Sequence, residues 1–269
     1  MGRSSHMVSR SWLMGSRSPS PARSRTPPST RPEQPPTTTT SVLSWNIALC
    51  KPSNEATWSR DENARRIEQC ITEKGADVLC IQEAPSCDYW EGTALGETYN
   101  VVGSVETHCG FTMVLVKAST LALRLEIRGA PAIGAIVDGV AYISMHLAPT
   151  KIKANERIKQ MCNIMASMPP SVQDFVVVGD SNMRKTEDTA FEGIGLGDAW
   201  KMTGQLKRKE HTWNSHINRY HLNGFEFISR FDRAYMRGLH CKAFDLVANT
   251  KSDGAFLSDH FGILLTVSK

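Results

Sequence analysis

Polar side chains suited to phosphate and metal chemistry repeatedly stand at the ends of apolar runs in this sequence. The set is Asn46, Glu83, His146, Asp180, Asn182, Asp232, Asp259 and His260. Carboxylates can bind a divalent cation or take a proton from water, a histidine can donate to a phosphate oxygen, and an amide can fix the geometry of both. These residue types together indicate hydrolysis of a phosphate ester.

Each member of this set, taken alone, also fits an ordinary structural position. Asn46 fits a turn after a strand, Glu83 a solvated loop and His146 a satisfied histidine at a sheet edge. The same strand-end context, however, recurs along the whole chain. That recurrence favours one shared site over unrelated coincidences.

Short apolar runs predict the elements that would position these residues. The predicted strands cover residues 42–47, 78–81, 111–116, 121–127, 133–137, 140–146 and 175–178. Ser59 and Glu62 form a capping-box pattern that predicts the start of a helix, and Gly75 predicts its end. A second predicted helix, stopped by Pro169 and Pro170, places on one face Ala154, Ile158, Met161, Cys162 and Met165.

Many short strands with few helices and no internal repeat favour an α/β (α+β) fold. The predicted architecture is a four-layered sandwich of two packed β-sheets flanked by helices. Neither GxGxxG nor GxxxxGK followed by Ser or Thr stands after a strand, which argues against dinucleotide-binding and P-loop folds. Strands of one sandwich end at a shared rim, so the polar residues can converge there.

The basic character of the chain is confined to its first part. Residues 1–40 contain six arginines and one glutamate, a net charge of +5, which leaves −1 for the rest of the +4 total. Because the remainder is nearly neutral, nucleic acid would have to bind at a local patch. We expect residues 1–40 to be a disordered Arg/Ser/Pro/Thr-rich tail and residues 41–269 to be one catalytic domain.

The composition of that tail leaves its role open. Its Arg/Ser bias fits a nuclear tail or a mitochondrial targeting segment, and Gly2–Met7 resembles an expression remnant. Seven scattered cysteines without a CxxC pair are expected to be reduced thiols, as inside a cell. No apolar run is long enough to span a membrane, so no membrane partner is expected.

Five segments, in this order along the chain, carry a resemblance to a known family. They are Ser44-Trp45-Asn46, Ile81-Gln82-Glu83, Gly179-Asp180-Ser181-Asn182, Phe231-Asp232-Arg233 and Ser258-Asp259-His260. The series resembles the endonuclease/exonuclease/phosphatase superfamily typified by deoxyribonuclease I and abasic-site endonucleases. The resemblance covers residues 41–269.

Further details resemble the tyrosyl-DNA phosphodiesterase 2 branch of that superfamily. They are Arg184 two residues after Asn182, the segment Arg230–Arg233, His211-Thr212-Trp213, and Ser258–Gly262. The chain departs from the branch at Asn214, at Ala148-Pro149 and at Lys185, where acidic or hydroxyl residues are usual. These departures concern the substrate more than the reaction.

The resemblance, read with the chemistry, implies a role for each residue. Glu83 and Asp259 are the expected ligands of Mg²⁺, which Mn²⁺ could replace, with Asn46 beside them; a set without thiolates argues against zinc. Asp180 is the expected general base, with Asn182 fixing its geometry. The remaining assignments are His260 as a phosphate donor oriented by Asp232, His146 as a second donor, and Arg184 and Trp213 as substrate-binding residues.

The activity implied by the branch is hydrolysis of 5′-phosphotyrosyl bonds in DNA repair. The substrate would be a single-stranded 5′ nucleic-acid end that carries a tyrosyl or peptide adduct, with no obligate protein partner. The alternatives are an abasic-site endonuclease, a 3′ exonuclease or deadenylase, a phosphoinositide phosphatase, and a silent binding module. The Arg230–Arg233 segment argues against the first, and the complete residue set argues against the last.

Overall fold

A computed structural model describes residues 38–221, 224 and 226–269 of the chain, with the side chain of Glu192 left aside. Most of the predicted tail lies outside the described residues. The strands are β1 (Thr39–Asn46), β2 (Val78–Ala84), β3 (Tyr99–Glu106), β4 (Phe111–Lys117), β5 (Leu123–Glu126), β6 (Ala132–Val137), β7 (Val140–His146), β8 (Asp174–Asp180), β9 (Gly197–Asp198), β10 (Trp213–Asn214), β11 (Ile228–Ser229), β12 (Asp232–Arg237), β13 (His240–Val247) and β14 (Gly262–Ser268). The α-helices are α1 (Arg60–Lys74), α2 (Ala94–Thr98), α3 (Ala154–Ala166) and α4 (Ala199–Met202).

Two six-stranded sheets contain nearly all of these strands. The first has the order β13-β14-β1-β2-β4-β3, and the second has the order β5-β6-β7-β8-β12-β9, while β10 and β11 form a separate hairpin. Most neighbours are antiparallel, but β1 runs parallel to β2 and β7 runs parallel to β8. The carboxyl ends of each parallel pair therefore lie side by side.

Alternation along the strands assigns each sheet an inner and an outer face. Inner residues of both sheets, such as Val42 and Val176, pack in one buried cluster between the sheets. On the outer face of the first sheet, Leu43 and Leu79 pack with Ile67 of α1. A third buried cluster covers the outer face of the second sheet, where α3 packs. The predicted four-layered sandwich is confirmed.

Helix α1 begins and ends where the sequence predicts. The Ser59 hydroxyl accepts a hydrogen bond from the Glu62 backbone N–H at 3.2 Å, which satisfies one of the free donors of the first turn. At the other end, Gly75 adopts φ +57°, a left-handed conformation that favours glycine. The Glu62 carboxylate pairs with Arg66 at 2.8 Å.

The predicted buried face of α3 is wrong in part. Met161 is buried, but Cys162 is exposed and Ile158 is 37% exposed; the buried face instead carries Arg157 and Ile164. The helix therefore turns a different face toward the core than the one predicted, because Arg157 is fully buried with Glu187 as its ion-pair partner. An apolar periodicity cannot identify a buried arginine.

All seven cysteines are free thiols. Across the described ranges, no helix is both long and apolar enough to cross a membrane.

Candidate active site

The second sheet places three of the candidate residues side by side at one rim. His146 at the end of β7 is the register partner of Asp180 at the end of the parallel strand β8. Asp232 at the start of β12 is the antiparallel partner of the same Asp180. Asp180 therefore lies between a histidine and a second carboxylate, and all three are buried.

The first sheet brings Asn46 and Glu83 to the same place. The pairing of β2 with β4 is irregular between Ile81 and Ala84, and Glu83 there has φ +54°, a rare conformation for a residue with a side chain. The Asn46 amide donates to Glu83 Oε1 at 3.0 Å and to Asp180 Oδ2 at 3.2 Å. Asn46 thus connects the two sheets at their rim.

Asp180 is the centre of the cluster. Besides the Asn46 amide, His146 Nε2 lies 3.5 Å and His260 Nε2 lies 3.7 Å from Asp180 Oδ2. The other carboxylate oxygen accepts the backbone N–H of Asn182 at 2.9 Å. Asn182 therefore holds Asp180 through its main chain, while its amide donates to the Leu147 carbonyl at 3.1 Å.

His260 is fixed by the carboxylate that the sequence assigns to it. Its Nδ1 lies 2.7 Å from Asp232 Oδ2, and its backbone carbonyl accepts the Trp45 indole N–H at 3.0 Å. Burial alone would lower the pKa of His260, but the carboxylates of Asp232 and Asp180 outweigh it and hold that pKa well above its usual value. The two carboxylates therefore favour the protonated imidazole, which suits His260 to act as a donor.

Asp259 has a partner that the sequence analysis did not anticipate. Its Oδ2 lies 2.8 Å from His221 Nε2. Burial alone would raise the pKa of Asp259, but the hydrogen bond and charge of His221 lower it below its usual value. Glu83, the other expected ligand, accepts hydrogen bonds from the Asn46 amide and the Cys109 thiol.

The two expected substrate-binding residues lie on an aromatic surface beside His260. The Trp213 ring meets His260 edge-on at 5.0 Å and stacks on Phe227 at 5.7 Å with an interplanar angle of 13°. The Arg184 guanidinium lies 4.4 Å from the centre of the Phe231 ring. Arg184, Phe227 and Phe231 also line an adjoining cavity of about 230 Å³.

Both arginines of the Arg230–Arg233 segment are structural. Arg230 pairs with Asp198 at 2.7 Å, and Arg233 pairs with Asp188 at 2.6 Å. Both guanidinium groups are buried. This segment therefore anchors the start of β12, and with it Asp232, to β9 and to the loop after β8 that carries Asp188.

A layer of buried polar side chains lies between the two sheets, next to the strand ends that carry the site. Gln82 donates to the Ser144 hydroxyl at 3.0 Å and so connects the two sheets. Gly179 lies against this layer with φ +147°; a Cβ there would stand 2.0 Å from the Met145 carbonyl oxygen and 3.0 Å from the Gln82 amide. Only a glycine permits this close approach directly before Asp180.

His108 and Cys109 also reach the site, although sequence reasoning missed them, as it missed His221. The Cys109 thiol donates to Glu83 Oε2 at 3.2 Å, and the His108 ring lies 4.6 Å from that of His146. Burial and the Glu83 carboxylate raise the pKa of Cys109 to about 12, so the thiol keeps its proton. Both residues lie in the turn between β3 and β4, where no strand-end signal precedes them.

The residues present fit a divalent cation. The potential ligand atoms of Asp180, Asp232 and His260 lie within 4.8 Å of one another, so this buried group could hold a metal ion. Asp180 and His260 are also the expected base and donor, and the Asn46 amide connects Asp180 to Glu83, the adjoining carboxylate that has no expected role in proton transfer. Asp232 Oδ1 is buried without a hydrogen-bond partner among the described residues, which leaves one oxygen free to accept a ligand. With Glu83 nearby, the donor set is mainly oxygen, as hard cations prefer.

Comparison with known proteins agrees with this geometry. The model of the Endonuclease/Exonuclease/phosphatase family matches residues 43–260. Tyrosyl-DNA phosphodiesterase 2 of Mus musculus is 28% identical over 253 residues, which cover 86% of this chain and 66% of the relative. The Xenopus laevis protein of that name is 28% identical over 247 residues, covering 82% and 64%. The chain thus spans about two thirds of the length of these relatives.

Solved structures show the same fold. The D. rerio tyrosyl-DNA phosphodiesterase 2 structure with a single-strand DNA product superposes with a TM-score of 0.70 at 21% identity, covering 86% of this chain and 99% of that one. The C. elegans structure has a TM-score of 0.64 at 20% identity, covering 86% and 75%. The resemblance to the tyrosyl-DNA phosphodiesterase 2 branch is confirmed, and the chain belongs to the Endonuclease/Exonuclease/phosphatase family.

Proposed function

We propose that this chain is a Mg²⁺-dependent phosphodiesterase that hydrolyses 5′-phosphotyrosyl bonds between protein and nucleic-acid ends and leaves a 5′-phosphate. One observation carries the proposal: Asp180 Oδ2 lies 3.2 Å from the Asn46 amide, 3.5 Å from His146 Nε2 and 3.7 Å from His260 Nε2. A carboxylate among such donors, where the strands of both sheets end, can orient a water molecule beside a phosphate and take its proton.

The reaction assigns a separate task to each residue. Asp180 takes a proton from water, whose oxygen bonds to phosphorus while the bond from phosphorus to the tyrosyl oxygen breaks. His260, held by Asp232, donates to a non-bridging oxygen and stabilises the developing charge, and His146 is a second donor. The phenolate leaves with little acid assistance, since the pKa of a phenol is only about 10.

Glu83 is the residue proposed to hold the metal ion, with Asn46 beside it and Asp259 as a second, water-mediated carboxylate. Bound Mg²⁺ would neutralise the phosphate oxygens and polarise the phosphoryl group. Glu83 is suited to this role because its carboxylate is 19% exposed, whereas that of Asp180 is only 3% exposed.

The aromatic surface beside the site supports a single-stranded substrate. Phe227 stacks on Trp213 and is 41% exposed, and bases of a single strand stack on such rings with little dependence on sequence. Arg184 supplies a cation beside them for a backbone phosphate. The names of the Mus musculus and Xenopus laevis relatives support a bond between tyrosine and DNA as the substrate, and a role in DNA repair is proposed with it.

The test compares two substrates. A single-stranded 5′-phosphotyrosyl oligonucleotide should release tyrosine with Mg²⁺, and chelator should abolish the release. Cleavage of duplex DNA at an abasic site should be weaker by at least about tenfold, because that reaction requires a deformed duplex around the site. Preference for the abasic duplex would overturn the phosphotyrosyl assignment, and full activity in chelator would overturn the metal dependence.

A further inference from the structure

The turn between β3 and β4 lies directly against two residues of the site. Its residues, Thr107 to Gly110, connect neighbouring strands at the edge of the first sheet. The Thr107 backbone N–H donates to the Gly110 carbonyl at 2.8 Å, and the Thr107 hydroxyl donates to the same oxygen at 3.0 Å. The turn is therefore closed by hydrogen bonds between its own residues.

Gly110 brings this turn unusually close to the backbone of Glu83. It has φ +69°, and a Cβ there would stand 2.6 Å from the Ala84 carbonyl oxygen and 3.4 Å from the Glu83 carbonyl carbon. A side chain at this position would push the turn away from β2. Gly110 thus allows the turn to lie close enough to β2 for its neighbour Cys109 to contact Glu83.

That contact is the hydrogen bond from Cys109 to Glu83. The thiol donates to Oε2 at 3.2 Å, while the Asn46 amide donates to Oε1 at 3.0 Å. Each oxygen of the carboxylate is therefore oriented by one donor, and the two donors come from different elements. Residues that hydrogen-bond a ligating carboxylate orient it and tune its affinity for metal.

The same turn also contacts the second sheet. The exposed His108 ring lies 4.6 Å from the buried His146 ring, with an interplanar angle of 51°. His146 Nε2 in turn lies 3.9 Å from Glu83 Oε1. The turn therefore contacts Glu83 through Cys109 and His146 through His108.

We propose that the β3–β4 turn positions the metal-binding carboxylate, with the Cys109 thiol as the donor that fixes Glu83 Oε2. The proposal rests on the proposed function in one respect, the assignment of Glu83 as the metal ligand. Cys109 is a positioning residue: it acts on the ion through Glu83 and has no part in the proton transfers.

The test is calorimetric titration of the substrate-free protein with Mn²⁺. Cys109→Val removes the donor at similar volume, Cys109→Ser keeps a donor, and Cys162→Val is the matched control at an exposed cysteine of α3. Cys109→Val should weaken Mn²⁺ binding by about threefold to tenfold, because a thiol is a weak donor, whereas Cys109→Ser should stay within about twofold. At saturating metal, kcat of Cys109→Val should remain within about twofold of the unmutated protein.

Three results would overturn the inference. They are Mn²⁺ binding by Cys109→Val as tight as in the unmutated protein, an equal loss in Cys109→Ser, and no Mn²⁺ binding by the unmutated protein. If the unmutated protein binds Mn²⁺ but releases no tyrosine from the oligonucleotide, the proposed substrate is wrong while the comparison of the cysteine variants still decides the role of the turn.

Discussion

Asp180 is a carboxylate that lies in the protein interior and is nevertheless surrounded by hydrogen-bond donors. Its carboxylate is buried, which disfavours charge, yet Asn46, His146 and His260 surround one of its oxygens with donors. The backbone N–H of Asn182 bonds the other oxygen. The strand-end pattern predicts that these residues meet, but the individual partners depend on register and cannot be predicted from residue types.

The raised pKa of His260 predicts how stability depends on pH in the chelated protein. A raised pKa in the folded state means that the stabilising charge is fully present below the unfolded value of about 6.5 and is lost as pH rises through the folded value. The free energy of unfolding, measured with urea from neutral to alkaline pH, should therefore fall more for the unmutated protein than for His260→Gln. Parallel curves for the two proteins would contradict the assignment of charge to His260.

Glu83→Ala tests the metal-binding carboxylate. Because Glu83 is the most exposed carboxylate in contact with Asn46, its loss should weaken the Mg²⁺ dependence of the rate and reduce turnover by about a hundredfold. Glu97→Ala, at an exposed position of α2, is the matched control and should leave the rate unchanged. A Mg²⁺ titration of tyrosine release that is identical for Glu83→Ala and the control would exclude Glu83 as a ligand.

The residues that sequence reasoning missed share one property. His108, Cys109 and His221 lie in turns and loops, where no apolar run marks the position of a site. His221 also gives Asp259 a partner that the sequence does not predict, because its Nε2 lies 2.8 Å from the Asp259 carboxylate. Contacts made across loops depend on loop conformation, which local sequence patterns do not specify.

At the scale of elements, the parallel pairs explain why residues distant in sequence converge. Asn46 ends β1 and Glu83 is the penultimate residue of β2, while His146 and Asp180 end β7 and β8. Continuous apolar runs predict these four buried strands well. By contrast, β3 and β13 carry exposed and polar residues at many positions, so periodicity alone does not identify them.

Gly179→Ala tests the close approach of β8 to its neighbours. The added Cβ would stand 2.0 Å from the Met145 carbonyl oxygen, at φ +147°, and should destabilise the fold by about 2–4 kcal/mol. Gly193→Ala is the control, because nothing lies within 4 Å of its Cβ and its φ is not in the left-handed region. Equal unfolding free energies for the two variants in urea would show that β8 can move aside.

The buried pair of Arg157 and Glu187 connects α3 to the loop that carries Arg184. Arg157 contacts Glu187 at 2.7 and 2.9 Å, and Glu187 accepts the Arg184 backbone N–H at 3.0 Å. Arg157→Met should cost about 3–5 kcal/mol, because it leaves a buried carboxylate unpaired. The double variant Arg157→Met with Glu187→Leu should lose less free energy of unfolding than the two single variants lose in sum. If urea unfolding shows that the two single losses simply add, the coupling between Arg157 and Glu187 is contradicted.

At the scale of the whole molecule, the layered fold follows from the balance of buried strands and few helices. Two sheets pack face to face, α1 and α2 lie on the outside of the first, and α3 lies on the outside of the second. Because residues 41–269 carry a net charge of only −1, this part of the molecule has no general positive field. Substrate binding is therefore expected to depend on Arg184 and the aromatic surface beside the site.

The most direct measurement is turnover of a 5′-phosphotyrosyl oligonucleotide by Asp180→Asn and Asp138→Asn. Asp180→Asn keeps the shape of the side chain but cannot take a proton, so it should lose on the order of 10² to 10⁴ in rate while it still binds the oligonucleotide. Asp138 is exposed, with φ +49°, in the turn before β7 at the opposite end of the strand; asparagine suits that conformation, so this variant should be fully active. A loss of less than about threefold in Asp180→Asn would contradict a general base at the centre of the site.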